Sequence, residues 1–502
     1  MQWQERRDER LWIFAVLTTF VVYGLELTSF SLSIDEEVHS FKEGIWEIWI
    51  SQGRWGMGLL TWLFPEISAL PYFPTLIFCL GLAAGSVLLA SVLAPGRSEA
   101  FAFVGFFVSS PIWLHIGEFN TLSWGIGIAV IATAGAAVFV VRRDTASFVL
   151  ACLCATLAIA VYQAMLILYF AVAAILTLRG GTFWPARPDE DEPRLNLRPM
   201  LSVAAGFALY QVSQALLQKI LAIESTYVGG WVRWQLWQSD FDRAFGRTLD
   251  RLAGLFLGSD ATFLGAGAVI LLLPWVGLAV GLWRWIRGEG PNPRWLAPLP
   301  FLLIVGAAAG PVVMSAGEIP LRALIVLPLL YAMLGINAWQ ISKGKGPRWL
   351  AFGAALCAAT WISTSLFYTD QLARQRDAIL AQRVVSHVEA VGRETFGRRI
   401  KVVFIGIRSP DTRGPVKNVE AFGRSFFEHE GGNPTRIFFF MRLLGMTDVI
   451  VTSVQSIQGE IETIRKMPTW PAPGAVAVVN EVVVVKLGPP TFSQEGFLKE
   501  QP

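Results

Sequence analysis

Asp35, Glu36 and Glu37 form an acidic run just beyond a first apolar segment, and a Gly53-Arg54-Trp55 turn follows. A partly desolvated carboxylate can take a proton from a hydroxyl, the work of a general base. A guanidinium can grip a phosphate through two parallel hydrogen bonds. Arg322, after Pro320, is a second guanidinium of this kind. The stretch 111–120, PIWLHIGEFN, adds His115, Glu118 and Asn120, and Glu318 lies just before Arg322. Acids and amides of this sort can orient a sugar hydroxyl or tune a neighbouring acid. The competing assignment for Arg54 and Arg322 is a structural ion pair with Asp35, Glu36 or Glu318. Which of Asp35, Glu36 and Glu37 acts as base is left open.

The elements that must position these groups are membrane spans. The chain has 502 residues, 54% hydrophobic and only 16% charged, with 20 Trp and 34 Phe. A soluble domain averages about 25% charged residues. Apolar runs long enough to cross a bilayer fall near 11–30, 72–94, 101–117, 122–141, 147–162, 163–178, 200–220, 263–286, 295–313, 321–339 and 348–367. The fold class expected is an α-helical polytopic membrane protein of about 11 helices. A tight turn at Tyr162-Gln163 divides 147–178 into two helices. The segment 53–63 is too short to cross and belongs at the interface. Arg6, Arg7 and Arg10 precede the first span, which lacks a small-residue cleavage site and reads as a retained helix.

Charge placement supports an orientation. With the N-terminus cytoplasmic, the inner gaps hold Arg97, Arg142, Arg143, Arg179, Arg187, Arg194, Arg198, Arg284, Arg287, Arg294, Lys343, Lys345 and Arg348. The short outer gaps hold only Lys42, Arg54 and Arg322. Cytoplasmic loops collect Lys and Arg in this way. Asp35, Glu36, Glu118 and Glu318 then share the outer face, where they are expected to converge. Ionisable groups beside a bilayer are expensive unless used.

Within the acidic segment a helix would place Val38, Phe41, Ile45, Ile48 and Trp49 on an apolar stripe, with His39 and Glu43 opposite. The outer gap 221–262 carries Trp231, Trp234 and Trp237 at helical spacing beside Arg233, Arg243, Arg247 and Arg251, suited to an interfacial face. After residue 368 the pattern changes to a polar helix over 370–396, buried strands at 400–407 and 448–453, and a hairpin over 475–487 around Asn480-Glu481. Two domains follow: a transmembrane one, 1–368, and a small extracytoplasmic α/β one, 369–502. The stretch 188–193 reads as a solvated cytoplasmic loop.

Other chemistries find no support. Cys79, Cys152, Cys154 and Cys357 sit in apolar runs without ligand spacing, so no disulfide framework or metal site is indicated. Gly-rich phosphate loops and nucleic-acid motifs are absent. No cofactor is called for; a divalent cation stays open. Lys486 reads as a strand-end charge. A transporter would call for mid-membrane ionisable groups and internal repeats, and neither is visible.

The acidic pair after the first helix, the Trp-bearing segment and Gly53-Arg54-Trp55 resemble the serotype-converting O-antigen glucosyltransferases, the glucosyl transferase II family. Glu118 with Phe119-Asn120-Thr121-Leu122, Tyr162-Gln163-Ala164, and the tail 467–474 followed by 482–487 resemble further motifs of that family. The family often has Asp-Asp at Asp35-Glu36 and Asp at Glu118; the acids are kept. The resemblance implies a GT-C type enzyme of the bacterial inner membrane with a periplasmic C-terminal domain. It would move a hexose, such as glucose, from a polyprenyl-phosphate donor to a glycan such as O-antigen. It further implies Asp35 or Glu36 as base, Arg54 and Arg322 on the lipid phosphate, and Glu118, with His115, Asn120 and Glu318, around the sugar. A related transferase of arabinosyl or aminosugar units is the alternative within the same chemistry.

Overall fold

A computed structural model describes residues 9–41, 44–65, 67, 70–178, 183, 195–224, 229–289, 296–341, 345–396, 399–409 and 419–498. The expected cytoplasmic charges Arg179, Arg187, Arg194, Arg294 and Lys343, the loop 188–193, and Arg6, Arg7, Lys42 and Glu43 lie outside the described residues. The chain divides into two compact units. One comprises Met1–Thr28 with Glu43–Thr364; the other comprises Ser29–Lys42 with Ser365–Pro502.

The first unit is built of apolar helices. Among the described residues, seven segments are long and apolar enough to cross a membrane: Glu9–Thr28, Phe73–Leu93, Arg97–Gly117, Ser123–Val140, Arg198–Leu221, Gly267–Arg287 and Gly346–Arg393. Thr145–Val161, Met165–Thr177, Leu299–Met314 and Val326–Ile341 are shorter apolar helices. Satisfying every backbone group internally makes the helix the natural form for such sequence in lipid. Small residues bring helices together, as membrane interiors favour. A Cβ on Gly81 would stand 2.4 Å from the Gly127 Cα, so Phe73–Leu93 and Ser123–Val140 touch backbone to backbone there. The turn expected at Tyr162-Gln163 is present: one helix ends at Val161, the next begins at Met165, and Met165 N–H donates to the Tyr162 carbonyl at 2.9 Å.

Three local expectations are corrected. The acidic segment is not one continuous helix. A single turn, Glu36–His39, and a second helix, Ile45–Ser51, flank Gly44 in the left-handed region at φ 70°. Trp231, Trp234 and Trp237 do not share a helix either. Trp231 ends a 3-10 turn, and Trp234–Ser239 starts only after non-helical Arg233. The amphipathic helix is the next one, Phe241–Leu257, where Phe241, Phe245 and Leu249 are exposed on one face. Finally, the last apolar span does not stop near 368, because one helix runs from Lys345 to Phe396. No Gly or Pro interrupts 354–391, so nothing in the backbone marks the change of composition near 368.

The second unit holds a four-stranded sheet of order β2-β1-β4-β3, with β1 Ile400–Ile405, β2 Val449–Val451, β3 Val476–Val479 and β4 Val482–Lys486. β1 runs parallel to β2 and β4, with Val402 opposite Val451 and Val483. β3 and β4 form the antiparallel hairpin read from the sequence. Asn480 and Glu481 both have positive φ, 46° and 58°, as a two-residue turn matched to strand twist requires. Apolar clusters cover both faces, one around Val402, Phe404 and Val485, the other around Val403, Ile405 and Val484. This double burial explains the near-continuous Val/Ile runs. Ile34 joins the first cluster beside Val384, Phe426 and Phe440. That packing is why Ser29–Lys42 groups with the C-terminal unit, although sequence placed all of 1–368 in one domain.

Candidate functional site

In the first unit the Arg54 guanidinium and the Arg322 backbone meet at one tyrosine. Tyr162 sits in the short break between Thr145–Val161 and Met165–Thr177. The Arg54 guanidinium lies over its ring, 4.8 Å from the centroid, and 5.7 Å from that of Trp49. The Tyr162 hydroxyl donates to the Arg322 carbonyl at 3.2 Å. Arg322 in turn lies over the Phe119 ring at 4.6 Å. Residues 54, 119, 162 and 322 are therefore drawn together from four parts of the chain. Stacking engages a guanidinium's face, whereas phosphate is recognised by its N–H edges.

The loop that presents Arg54 is held by its backbone carbonyls. Gln163 Nε2 donates to the Gln52 carbonyl at 2.6 Å, Tyr210 Oη to Gly53 at 2.8 Å and Gln214 Nε2 to Ile50 at 3.0 Å. The Gln52 and Gly53 carbonyls lie just past the end of Ile45–Ser51, where helical partners run out, and the Ile50 carbonyl also accepts from the Gly53 N–H at 2.9 Å. Gln163 Oε1 also accepts from Arg54 Nε at 3.2 Å. Gly53 has φ +76°, and a Cβ there would stand 2.7 Å from Gln163 Nε2, so glycine is required. Arg54 is buried, with 7% exposure.

The 111–120 stretch folds as a 3-10 turn Pro111–Trp113 and one helical turn Leu114–Gly117. His115, Glu118 and Asn120 are all buried. His115 Nε2 lies 2.5 Å from Thr262 Oγ1, and Asn120 Oδ1 accepts from Thr75 Oγ1 at 3.1 Å. His115 thus ties this stretch to the 3-10 turn Ala261–Phe263, and Asn120 ties it to the start of Phe73–Leu93. Glu118 caps the helical turn immediately before Phe119, on which Arg322 stacks.

Glu318 has partners other than those expected. It pairs with Arg233 at 3.4 Å and with Arg247, not with Arg54 or Arg322. Its carboxylate joins the 221–262 segment to the loop before Arg322. Trp237 Nε1 and the Arg233 N–H, which donate to the carbonyls of Val313 and Met314, strengthen the same join.

In the second unit the acidic run is gathered around a residue absent from the sequence-based candidates, Arg436. Its Nη2 donates to Asp35 Oδ1 at 2.9 Å and to Glu430 Oε1 at 2.8 Å, and its Nη1 to Glu37 Oε1 at 2.7 Å. Asp35 accordingly pairs with Arg436. The three acids differ in setting. Glu36 and Glu37 are fully buried, whereas the Asp35 side chain is 40% exposed. Glu36 Oε2 accepts from the Ser33 N–H at 2.8 Å and Glu37 Oε2 from the Asp35 N–H at 2.8 Å. Burial pushes the Glu37 carboxyl up to about 7 despite the opposing pull of Arg436. Glu430 goes the other way, to about 2, because Arg436 donates a hydrogen bond to it. Asp35 itself has φ 94° and ψ −25°, a conformation that stores strain in a residue with a Cβ. Among the described residues no group of three or more His, Cys, Asp or Glu side chains is placed to hold a metal ion. Lys486 Nζ donates to the carbonyls of Arg465 and Met467, a structural use.

The first unit thus presents an arginine stacked at a helix break and a second stacked on Phe119 within a set of apolar helices. The chain matches the model of the glucosyl transferase GtrII family over residues 24–338, and it belongs to that family. Membership makes it a glucosyltransferase. No curated protein and no solved structure matches the chain.

Proposed function

We propose that this glucosyltransferase takes glucose from a polyprenyl-phosphate donor and adds it to a surface glycan, O-antigen or a related polymer, on the periplasmic side of the inner membrane. Arg54 and Arg322 bind the lipid phosphate, and Asp35 is the base. The acceptor hydroxyl oxygen attacks the anomeric carbon and forms the new glycosidic bond. The bond from that carbon to the phosphate oxygen breaks, and polyprenyl phosphate leaves with the electron pair. The hydroxyl proton passes to the Asp35 carboxylate.

The observation that carries the donor assignment is the Arg54 guanidinium stacked on Tyr162, whose hydroxyl bonds the Arg322 backbone carbonyl while the Arg322 guanidinium stacks on Phe119, inside a unit of apolar helices. Two guanidiniums held by rings suit a dianionic or diester phosphate on a lipid. Asp35 is favoured over Glu36 because it is the more exposed and carries the backbone strain typical of functional positions. Glu118, His115 and Asn120 shape the sugar side, Glu118 through its place beside Phe119.

Asp35→Asn and Glu36→Gln enzymes, assayed in membranes with labelled polyprenyl-phosphate glucose, test the assignment. Loss of transfer in Asp35→Asn with retained donor binding is expected, at about 10²–10⁴-fold for a lost general base. Wild-type transfer by Asp35→Asn would remove Asp35 from the role.

A further inference from the structure

We propose that Arg436, which lies beyond the family-matched residues 24–338, is a positioning residue that holds Asp35 ready for proton transfer. This rests on the assignment of Asp35 as base.

The acidic turn is fixed twice over. Its backbone is fixed by its own acids, since Glu36 takes the Ser33 N–H and Glu37 takes the Asp35 N–H. The side chains of Asp35 and Glu37 are held from outside the turn by Arg436. One fork reaches Asp35 and Glu37 at 2.9 and 2.7 Å, across about 400 residues of chain. The left-handed backbone of Asp35 needs such support, because a residue with a Cβ in that region relaxes once its surroundings cease to dictate it.

Arg436 is itself well anchored. It is carried on the helix Pro434–Leu443, whose first turn is capped by Asn433 Oδ1 accepting from the Thr435 N–H at 3.0 Å. The same Asn433 donates to Glu430 Oε2 at 2.8 Å, and Glu430 Oε1 accepts from Arg436. Farther along the helix, Phe439 stacks on Phe41 at 5.8 Å, and Arg442 lies over Phe41 at 4.8 Å. Pro434–Leu443 therefore grips the acidic segment at both ends. The groups that bear on the cluster's charge are Asp35, Glu37, Glu430, His429 beside Glu430, and Arg424. Three carboxylates on one guanidinium leave the cluster sensitive to the loss of that one cation.

The test uses full-length enzyme in proteoliposomes with polyprenyl-phosphate glucose and glycan acceptor. Arg436→Lys keeps the charge but not the two-pronged fork. It is expected to lower kcat by about 100-fold, the scale of a small misplacement of a reacting group, while donor KM stays within about twofold. The fall in kcat per folded molecule with donor KM nearly unchanged is a split that a fall in folded fraction would not produce. In an Asp35→Asn background, Arg436→Lys should remove little of the residual transfer. Unchanged kcat per folded Arg436→Lys molecule, or an effect fully additive with Asp35→Asn, overturns the proposal. If Asp35→Asn transfers at the wild-type rate, the base assignment falls instead. An inactive Asp35→Asn beside a fully active Arg436→Lys sinks the positioning role alone.

Discussion

Replacing Glu37 with glutamine changes the response of the second unit to pH in a way whose sign is fixed by burial. The Glu37 side chain is fully buried, and its carboxyl is pushed from the ordinary 4.5 to about 7, first by desolvation, against Arg436. Between those two values the folded chain holds a proton that the unfolded chain has released, so stability falls as pH rises through this window and levels off above about 7. The ionised form is disfavoured by roughly 3 kcal/mol, from 1.36 kcal/mol for each pH unit between the two values. Glutamine cannot ionise and loses this slope. It keeps an oxygen for Arg436 Nη1 but sets an amide N–H₂ against the Asp35 N–H that Glu37 Oε2 now accepts. That lost hydrogen bond costs about 1 kcal/mol. Glu37→Gln should therefore be about 1 kcal/mol less stable than wild type near pH 4.5 and more stable by roughly 2 kcal/mol at pH 8. Hydrogen exchange of β1 and β4 in the detergent-solubilised full chain, corrected for intrinsic exchange, reads the opening of this unit. A Glu37→Gln protein less stable by the same amount at both pH values would refute the reasoning.

The arginine pair gives two further outcomes. Arg54→Ala and Arg322→Ala should each raise the donor KM by about 10- to 100-fold, since a hydrogen bond to a charged group contributes about 1.5–3 kcal/mol; unaltered donor affinity in a lipid-donor titration would sink the phosphate role. Tyr162→Phe keeps the ring under Arg54 but loses the bond to the Arg322 carbonyl, so donor kcat/KM should fall about fivefold, for roughly 1 kcal/mol. Tyr162→Ala should fall further by the cation–π share, up to about 2 kcal/mol; equal damage from both would contradict the stacking role.

Much of the membrane unit was legible because apolar runs, Pro and Gly act locally. The break at Tyr162-Gln163 and the Asn480-Glu481 hairpin turn are set by neighbours in sequence. Arg54 and Arg322 were legible as cations between apolar segments, but their link through Tyr162 was not, because it joins positions 160 residues apart. The partner of Asp35 was farther still, and nothing near Arg436 in PTRIFFFMRL sets it apart from other helix-surface arginines. The ion-pair partners of Glu318 were not legible for the same reason, since its cations come from the segment read as an interfacial Trp face. The Trp231 stripe failed because spacing alone does not show that Arg233 leaves the helical region. The Ser29–Lys42 segment was assigned by position along the chain, whereas Ile34 shares an apolar cluster with strands that begin only at Ile400.

Purified full-length protein in liposomes, given radiolabelled polyprenyl-phosphate glucose and a glycan acceptor, tests the central claim most directly. Label in the glycan and free polyprenyl phosphate should appear in equal amounts, with no soluble nucleotide sugar added. Label that crosses the bilayer without forming a glycosidic bond, or transfer only when a nucleotide sugar is supplied, would contradict it.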